Sequence, residues 1–225
     1  MFDVRQYLDD YLGTLQALDE LTLERMALSV LDAWRAGRTV YCCGNGGSAS
    51  SASHFVTDLA KLTTVAGGRR LRALALTESV STLSAVANDI DYQEVFAEQL
   101  RTHLSPDDVV IGFSTSGSSP NVLRAIEYAN DAQAVTLAVT GRQGTQLGAA
   151  AQITLFVEST STQQIEDATM VVGHLLCLRV KDLIAQETAD VRREERSLLL
   201  QRYAARATGA DGAGATSLHA KSTTL

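Results

Sequence analysis

Two segments of this chain gather the groups that hold anions. Gly44-Asn45-Gly46-Gly47-Ser48-Ala49 follows an apolar run and opens a helical pattern, so its glycines let the backbone approach a ligand while a helix N-terminus offers free N–H donors. Ser114-Thr115-Ser116-Gly117-Ser118-Ser119-Pro120 sets five hydroxyls around one glycine, again just ahead of a helical pattern. Hydroxyls and helix-terminal amides suit a compact phosphomonoester. A nucleoside triphosphate would call for the motif G-x-x-x-x-G-K-[ST], which this sequence lacks. A dinucleotide would call for an acid about twenty residues beyond the first loop, where Arg69, Arg70 and Arg72 stand instead. No nucleotide cofactor is expected.

The titratable residues are few, with 4 histidines in 225 residues. His54 and Asp58 lie four apart on the helix leaving the first loop, where they share a face and could share a metal or a substrate oxygen. His174 stands in the apolar stretch Met170-Val-Val-Gly-His-Leu-Leu-Cys177, where an imidazole needs a partner or a purpose. Glu166 and Asp167 precede it. Eight residues on an ideal helix turn Glu166 about 80° away from His174, so spacing favours Asp167 as the neighbour without deciding which acid joins the site.

The elements that must position these groups read as an α/β fold. Short apolar runs at 38–44, 71–77, 108–114, 134–140 and 152–157 predict five buried strands. Helical spacing fills the gaps at 49–62, 80–87, 92–104, 119–130 and 146–151, which predicts a parallel sheet with right-handed crossovers. Apolar residues from Leu8 to Trp34 recur every three or four positions, giving a pair of N-terminal helices within 1–37 that pack on the domain or on a partner subunit. A last, largely apolar helix is predicted over 164–187. The small, polar residues of 204–225 predict a disordered tail. Nineteen basic against 26 acidic residues give a net charge of −7, which argues against nucleic acid as a partner. No apolar run approaches the ~20 residues of a bilayer span, so no membrane partner is expected. Three cysteines, two of them adjacent, suit a reducing compartment, and the chain reads as cytoplasmic.

Gly44-Asn-Gly-Gly-Ser48, Ala87-Asn-Asp89 before Tyr92, Phe113-Ser-Thr-Ser-Gly-Ser-Ser-Pro-Asn-Val-Leu123 and Val139-Thr-Gly141 resemble the sugar isomerase (SIS) family, and more narrowly the phosphoheptose isomerases. The resemblance runs from about Arg5 to Glu187. It implies a single SIS domain over 38–190 with a five-stranded parallel sheet, a homotetramer with shared active sites, and isomerisation of sedoheptulose 7-phosphate. Carried over by position, Ser48, Ser114, Thr115, Ser116 and Ser119 would hold the phosphate, with Asn45, Gly46 and Asp89 along the sugar. His54, Asp58, Glu166 and His174 fall where the family places one zinc ion per site, Asp58 where it places its base and His174 its acid, and Glu166 would also contact substrate. Two departures accompany the match, aspartate in place of glutamate at 58 and glutamate in place of glutamine at 166, and both bear on which heptose or octose phosphate is used. A non-enzymatic member that binds a replication initiator, or one that senses sugar phosphates, is the competing expectation. His174 discriminates, because the initiator-binding class is expected to lack it.

Overall fold

The structure is a computed structural model describing residues 2–66 and 68–207. Helices α1 (Val4–Gln16) and α2 (Glu20–Ala36) come first, as the spacing predicts, capped by Asp3 and Asp19 whose carboxylates accept first-turn N–H groups. Strand and helix then alternate as β1 (Thr39–Cys43), α3 (Gly47–Leu62), β2 (Arg72–Ala75) and α4 (Val80–Asp89). The segment predicted as one helix over 92–104 is a 3-10 turn, Tyr92–Glu94, followed by a separate α5 (Ala97–His103). The side chain of Asp91 caps the turn, and its start is drawn out of helical geometry at Asp91 (φ −166). Then follow β3 (Val109–Ser114), α6 (Pro120–Asp131), β4 (Val135–Gly141), α7 (Thr145–Ala150) and β5 (Ile153–Val157). The last helix, α8 (Thr162–Ala207), runs well past the predicted end at 187 and overlaps the first residues of the predicted tail. The rest of that tail, 208–225, lies outside the described residues. The chain divides into two units, one ending at Ala185 and one beginning at Gln186; within the described residues the second is the C-terminal part of α8.

The sheet is wholly parallel in the order β2-β1-β3-β4-β5. Its central strands are buried along their whole length, which is why they read as unbroken apolar runs. Alternation sorts their side chains. Val40, Cys42, Val109, Ile111 and Phe113 face a core built with α2, α3 and α8. Tyr41, Cys43, Val110 and Ala138 face a second core with α5, α6 and α7. The connection from β1 goes to one neighbour, β2, and β3 lies on the other side. The carboxyl ends of β1 and β3 therefore flank the point where the winding reverses, where open α/β sheets leave a crevice for ligands. Both candidate loops emerge there.

Candidate active site

The hydroxyl loop closes β3 and leads to Ser119, the residue that precedes α6. Ser114 is buried, and its hydroxyl accepts the Gly117 N–H at 3.1 Å and lies 3.3 Å from the Ser119 hydroxyl. Ser116 accepts from the Ser118 N–H at 3.3 Å and from its hydroxyl at 3.2 Å. Gly117 has φ +62, and a Cβ there would stand 2.2 Å from Cα of Gly144. Only glycine lets this loop lie directly on the turn after β4. The Leu147 N–H donates to the Gly117 carbonyl at 3.0 Å and locks the pair.

Beside this junction is a cavity of about 350 Å³, within the range of small-molecule sites. Thr115, Ser116, Gly117 and Ser118 line one side, Gly141, Gln143, Thr145 and Gln146 the second, Ser159, Thr160, Thr162 and Ile165 the third. None of these residues is charged. The site offers neutral donors to its ligand. The Thr140 hydroxyl, packed under Gly144, is buried with no hydrogen-bond partner among the described residues.

The first loop, 44–48, is tied to the second. Asn45 and Asn121 pair amide to amide, both bonds at 2.8 Å, and the Tyr92 hydroxyl donates to Asn45 at 3.1 Å. Gly46 caps α3 with φ +55, and Ser48 is buried in its first turn. Asn121 is a residue that sequence reasoning missed, although it sits inside the quoted Ser-Pro-Asn-Val run; only the fold brings it to Asn45. Glu94 in the 3-10 turn bonds Arg124 of α6 and Arg101 of α5, and these contacts, Arg124 foremost, hold its carboxyl below the usual range. Asp89 ends α4 exposed, its carboxylate accepting from the Asn88 amide at 2.8 Å.

The acid-bearing helices come together on the opposite face of the sheet from α6. Helices α3 and α8 follow parallel strands, so they run in the same direction and meet in step: Glu166 lies at Gly47, and His174 at His54. His54 Nε2 and His174 Nε2 are 3.0 Å apart, and Asp58 Oδ2 is 3.3 Å from the first and 3.6 Å from the second. The imidazoles are about half exposed, and Asp58 is 20% exposed. The acid that joins His174 is therefore Asp58 from α3. Asp167, favoured by spacing, instead accepts a hydrogen bond from Tyr7 of α1 at 3.1 Å. Glu166 is outside the cluster, its carboxylate filling the space where a side chain on Gly47 would go. Cys177, one turn beyond His174, is buried; desolvation, with the Asp58 charge adding, pushes its thiol up to about 12, so it stays protonated.

His54, Asp58 and His174 can hold a metal ion, their donor atoms lying within 4.8 Å of one another. Tetrahedral zinc with bonds of about 2.0–2.1 Å sets its ligand atoms roughly 3.3–3.4 Å apart, and the three separations here straddle that value. Two imidazoles and one carboxylate form a donor set of the catalytic zinc type, in which a position is left for water or substrate.

The SIS domain model matches residues 5–141, more than half of the chain. The chain belongs to the SIS domain family. Curated relatives of this SIS protein include the phosphoheptose isomerase of Geobacter sp. (strain M21), 36% identical over 165 residues that cover 73% of this chain and 83% of the relative. That of Rhodospirillum rubrum is 40% identical over 156 residues, covering 67% of this chain and 79% of the relative. Among solved structures, the phosphoheptose isomerase GmhA from Neisseria gonorrhoeae superposes with a TM-score of 0.74 at 28% identity, over 80% of this chain and 97% of that one. A phosphoheptose isomerase from Francisella tularensis gives 0.74 at 29%, over 80% and 96%.

Proposed function

We propose that this SIS protein is an aldose–ketose isomerase that converts a sedoheptulose 7-phosphate-like heptose or octose phosphate through an enediol. The observation that carries the reading is the convergence of His54 and Asp58 of α3, the helix that leads from the first loop, with His174 of α8. Asp58 takes the proton from carbon as general base, and His174 serves the neighbouring oxygen as general acid. Zinc, held by His54, Asp58 and His174, would polarise the carbonyl and spread the enediolate charge. Glu166 stays with the substrate contacts. Its carboxylate occupies the first turn of α3, where it opposes a second anion, so the grip on phosphate falls mainly to Ser114, Thr115, Ser116 and Ser119, with Ser48 at the edge. Asn45, Gly46 and Asp89 flank the sugar.

The distance between the two ends supports a long substrate. From Gly47 to His54 the helix rises about 10 Å, and from Glu166 to His174 about 12 Å, so a phosphate held at the loop end and a carbonyl at the histidines suit a chain longer than a triose or tetrose. Remote phosphate binding then orients the reacting end.

Leu8, Leu12, Leu21, Leu175 and Leu178, all more than 40% exposed, and an apolar groove of about 890 Å³ between α1, α2 and α8 offer apolar surface for burial between subunits, which supports reading the assembly as a homotetramer. The half-exposed histidines would be closed off by a second copy. Three free, buried cysteines suit the reducing cytoplasm, and no helix among the described residues is long and apolar enough to cross a membrane. The initiator-binding alternative is not favoured, because relatives in sequence and in structure carry the isomerase name and His174 joins the cluster. Incubation of the purified protein with sedoheptulose 7-phosphate in deuterated water, followed by NMR, tests the reading. Aldose phosphate carrying deuterium at C2 is expected; a ketose that stays unchanged and unlabelled refutes it.

A further inference from the structure

The amide pair between the first loop and α6 has a direction that one backbone group dictates. Asn121, 1% exposed, accepts the Val122 backbone N–H through Oδ1 at 3.0 Å. An N–H can only donate, so that atom is the oxygen, and the other end of the Asn121 amide is its NH2. Asn45 must then face it in the complementary sense, Nδ2 donating to Asn121 Oδ1 and Oδ1 accepting from Asn121 Nδ2. The Asn45 oxygen already has one donor, and the Tyr92 hydroxyl supplies the second. Both lone pairs of that oxygen are spent, as is one of its two N–H groups. A single N–H remains.

We propose that Asn121 is a positioning residue that fixes Asn45 as a hydrogen-bond donor, so that the first loop recognises an acceptor oxygen of the sugar phosphate, carbonyl or phosphoryl, and cannot accept from a sugar hydroxyl. A free asparagine offers either end to a ligand. This one does not, because turning it over would set two N–H groups against each other, and two oxygens against each other, at Asn121. The inference rests on the isomerase reading only for its choice of ligand. It ties the geometry of the first loop to the start of α6, so the two loops that meet at the crevice act as one unit.

The test compares Asn121→Asp, Asn45→Asp, the double variant and Tyr92→Phe in the full chain. Asn121→Asp keeps the shape and the acceptor for Val122, but sets a carboxylate oxygen against the Asn45 oxygen. Affinity for sedoheptulose 7-phosphate, read by calorimetry, should fall about tenfold in Asn121→Asp and in Asn45→Asp. The double variant should be no weaker than Asn45→Asp alone, because Asn121 acts through Asn45. Tyr92→Phe, at a ring that is 58% exposed, should weaken binding by a smaller factor with the melting temperature unchanged, which keeps the test open if Asn121→Asp does not fold. In the ligand-free protein the Asn45 side-chain amide proton held by Asn121 Oδ1 should exchange with solvent more slowly than its geminal partner, which stays free for the ligand. Equally fast exchange of both Asn45 side-chain protons in the wild type, or losses that multiply in the double variant, overturn the proposal. A wild type that binds sedoheptulose 7-phosphate with these amide signatures and does not turn it over sinks the isomerase reading and leaves this one standing.

Discussion

Three glycines separate the strain and crowding that shape the crevice. Gly117 combines a left-handed backbone with backbone atoms of Gly144 at 2.2 Å from any added Cβ. Gly37, the residue that ends α2, shares the left-handed backbone (φ +68), but its Cβ would meet only the flexible end of Arg69. Gly13 in α1 has neither constraint, with nothing within 4 Å. Gly13→Ala should therefore stabilise by about 0.5–1 kcal/mol through helix entropy. Gly37→Ala should cost about 1–2 kcal/mol, the left-handed penalty of a Cβ. Gly117→Ala bears the same penalty and an overpacking cost of about 1–3 kcal/mol, because Gly144 is backbone and cannot swing aside, for a total near 2–5 kcal/mol. Urea unfolding at one fixed protein concentration reads all three as midpoint shifts at constant m, and Gly117→Ala should lose about 1 M or more. Its phosphate-ester affinity should fall as the loop lifts from the turn. If Gly117→Ala is no less stable than Gly37→Ala, the contact of the two loops is not there and the cavity they wall is wrong.

Ser116→Ala with Ser119→Ala should weaken phosphorylated ligands at least tenfold in calorimetry and leave the melting temperature nearly unchanged; undiminished binding removes the loop from the phosphate site. Asp58→Asn and His174→Ala should each abolish turnover and lower the zinc found by elemental analysis of protein purified without chelator, while phosphate-ester binding survives; near-normal turnover in either refutes the acid–base pair. Thr140→Val removes a buried hydroxyl that has no partner among the described residues and should be neutral or stabilising by about 1 kcal/mol in urea unfolding. The Arg179 hydrogen bonds hold the Glu24 carboxyl below the usual range, so this pair adds stability above the unfolded glutamate range that disappears as pH falls through the lowered folded value. Both side chains are about a third exposed, so Glu24→Gln should cost under about 1 kcal/mol at pH 7, with the deficit shrinking in acid; a deficit that grows in acid contradicts the sign.

Much of this fold is legible in the sequence because a doubly covered parallel sheet leaves a plain trace. Each central strand is an apolar run closed by glycine or hydroxyl residues, and the helices between keep their spacing. The edge strand is less well marked: β2 covers Arg72–Ala75 within the predicted 71–77, and with one side open to solvent it carries an exposed arginine. The break between the 3-10 turn and α5 is invisible to periodicity, since Tyr92, Val95, Phe96 and Leu100 continue a helical spacing across it. The far end of α8 has a different cause. Exposed Val191, Leu198, Leu199 and Leu200 do not follow one helical stripe, so apolar spacing gives no signal there.

The site was readable in its parts and not in its pairings, and the reason is topological. Asp167 is the better match to His174 on one helix, yet a ligand cluster need not be local. Because every strand is parallel, each helix after a strand runs back along the sheet in the same sense, and two such helices on one face lie side by side with residues in step. That makes the seven-residue interval 47–54 on α3 and the eight-residue interval 166–174 on α8 equivalent, so fixing Glu166 at Gly47 brings His174 to His54. Asp58, one turn on, then completes the set at distances a single ion can span. The same reasoning accounts for Asn121: α6 starts at the end of β3, the immediate neighbour of β1, so its first turn stands against the loop that β1 feeds. What the sequence supplies is chemistry at the ends of strands. Which ends become neighbours is decided by the strand order β2-β1-β3-β4-β5, which no local pattern records.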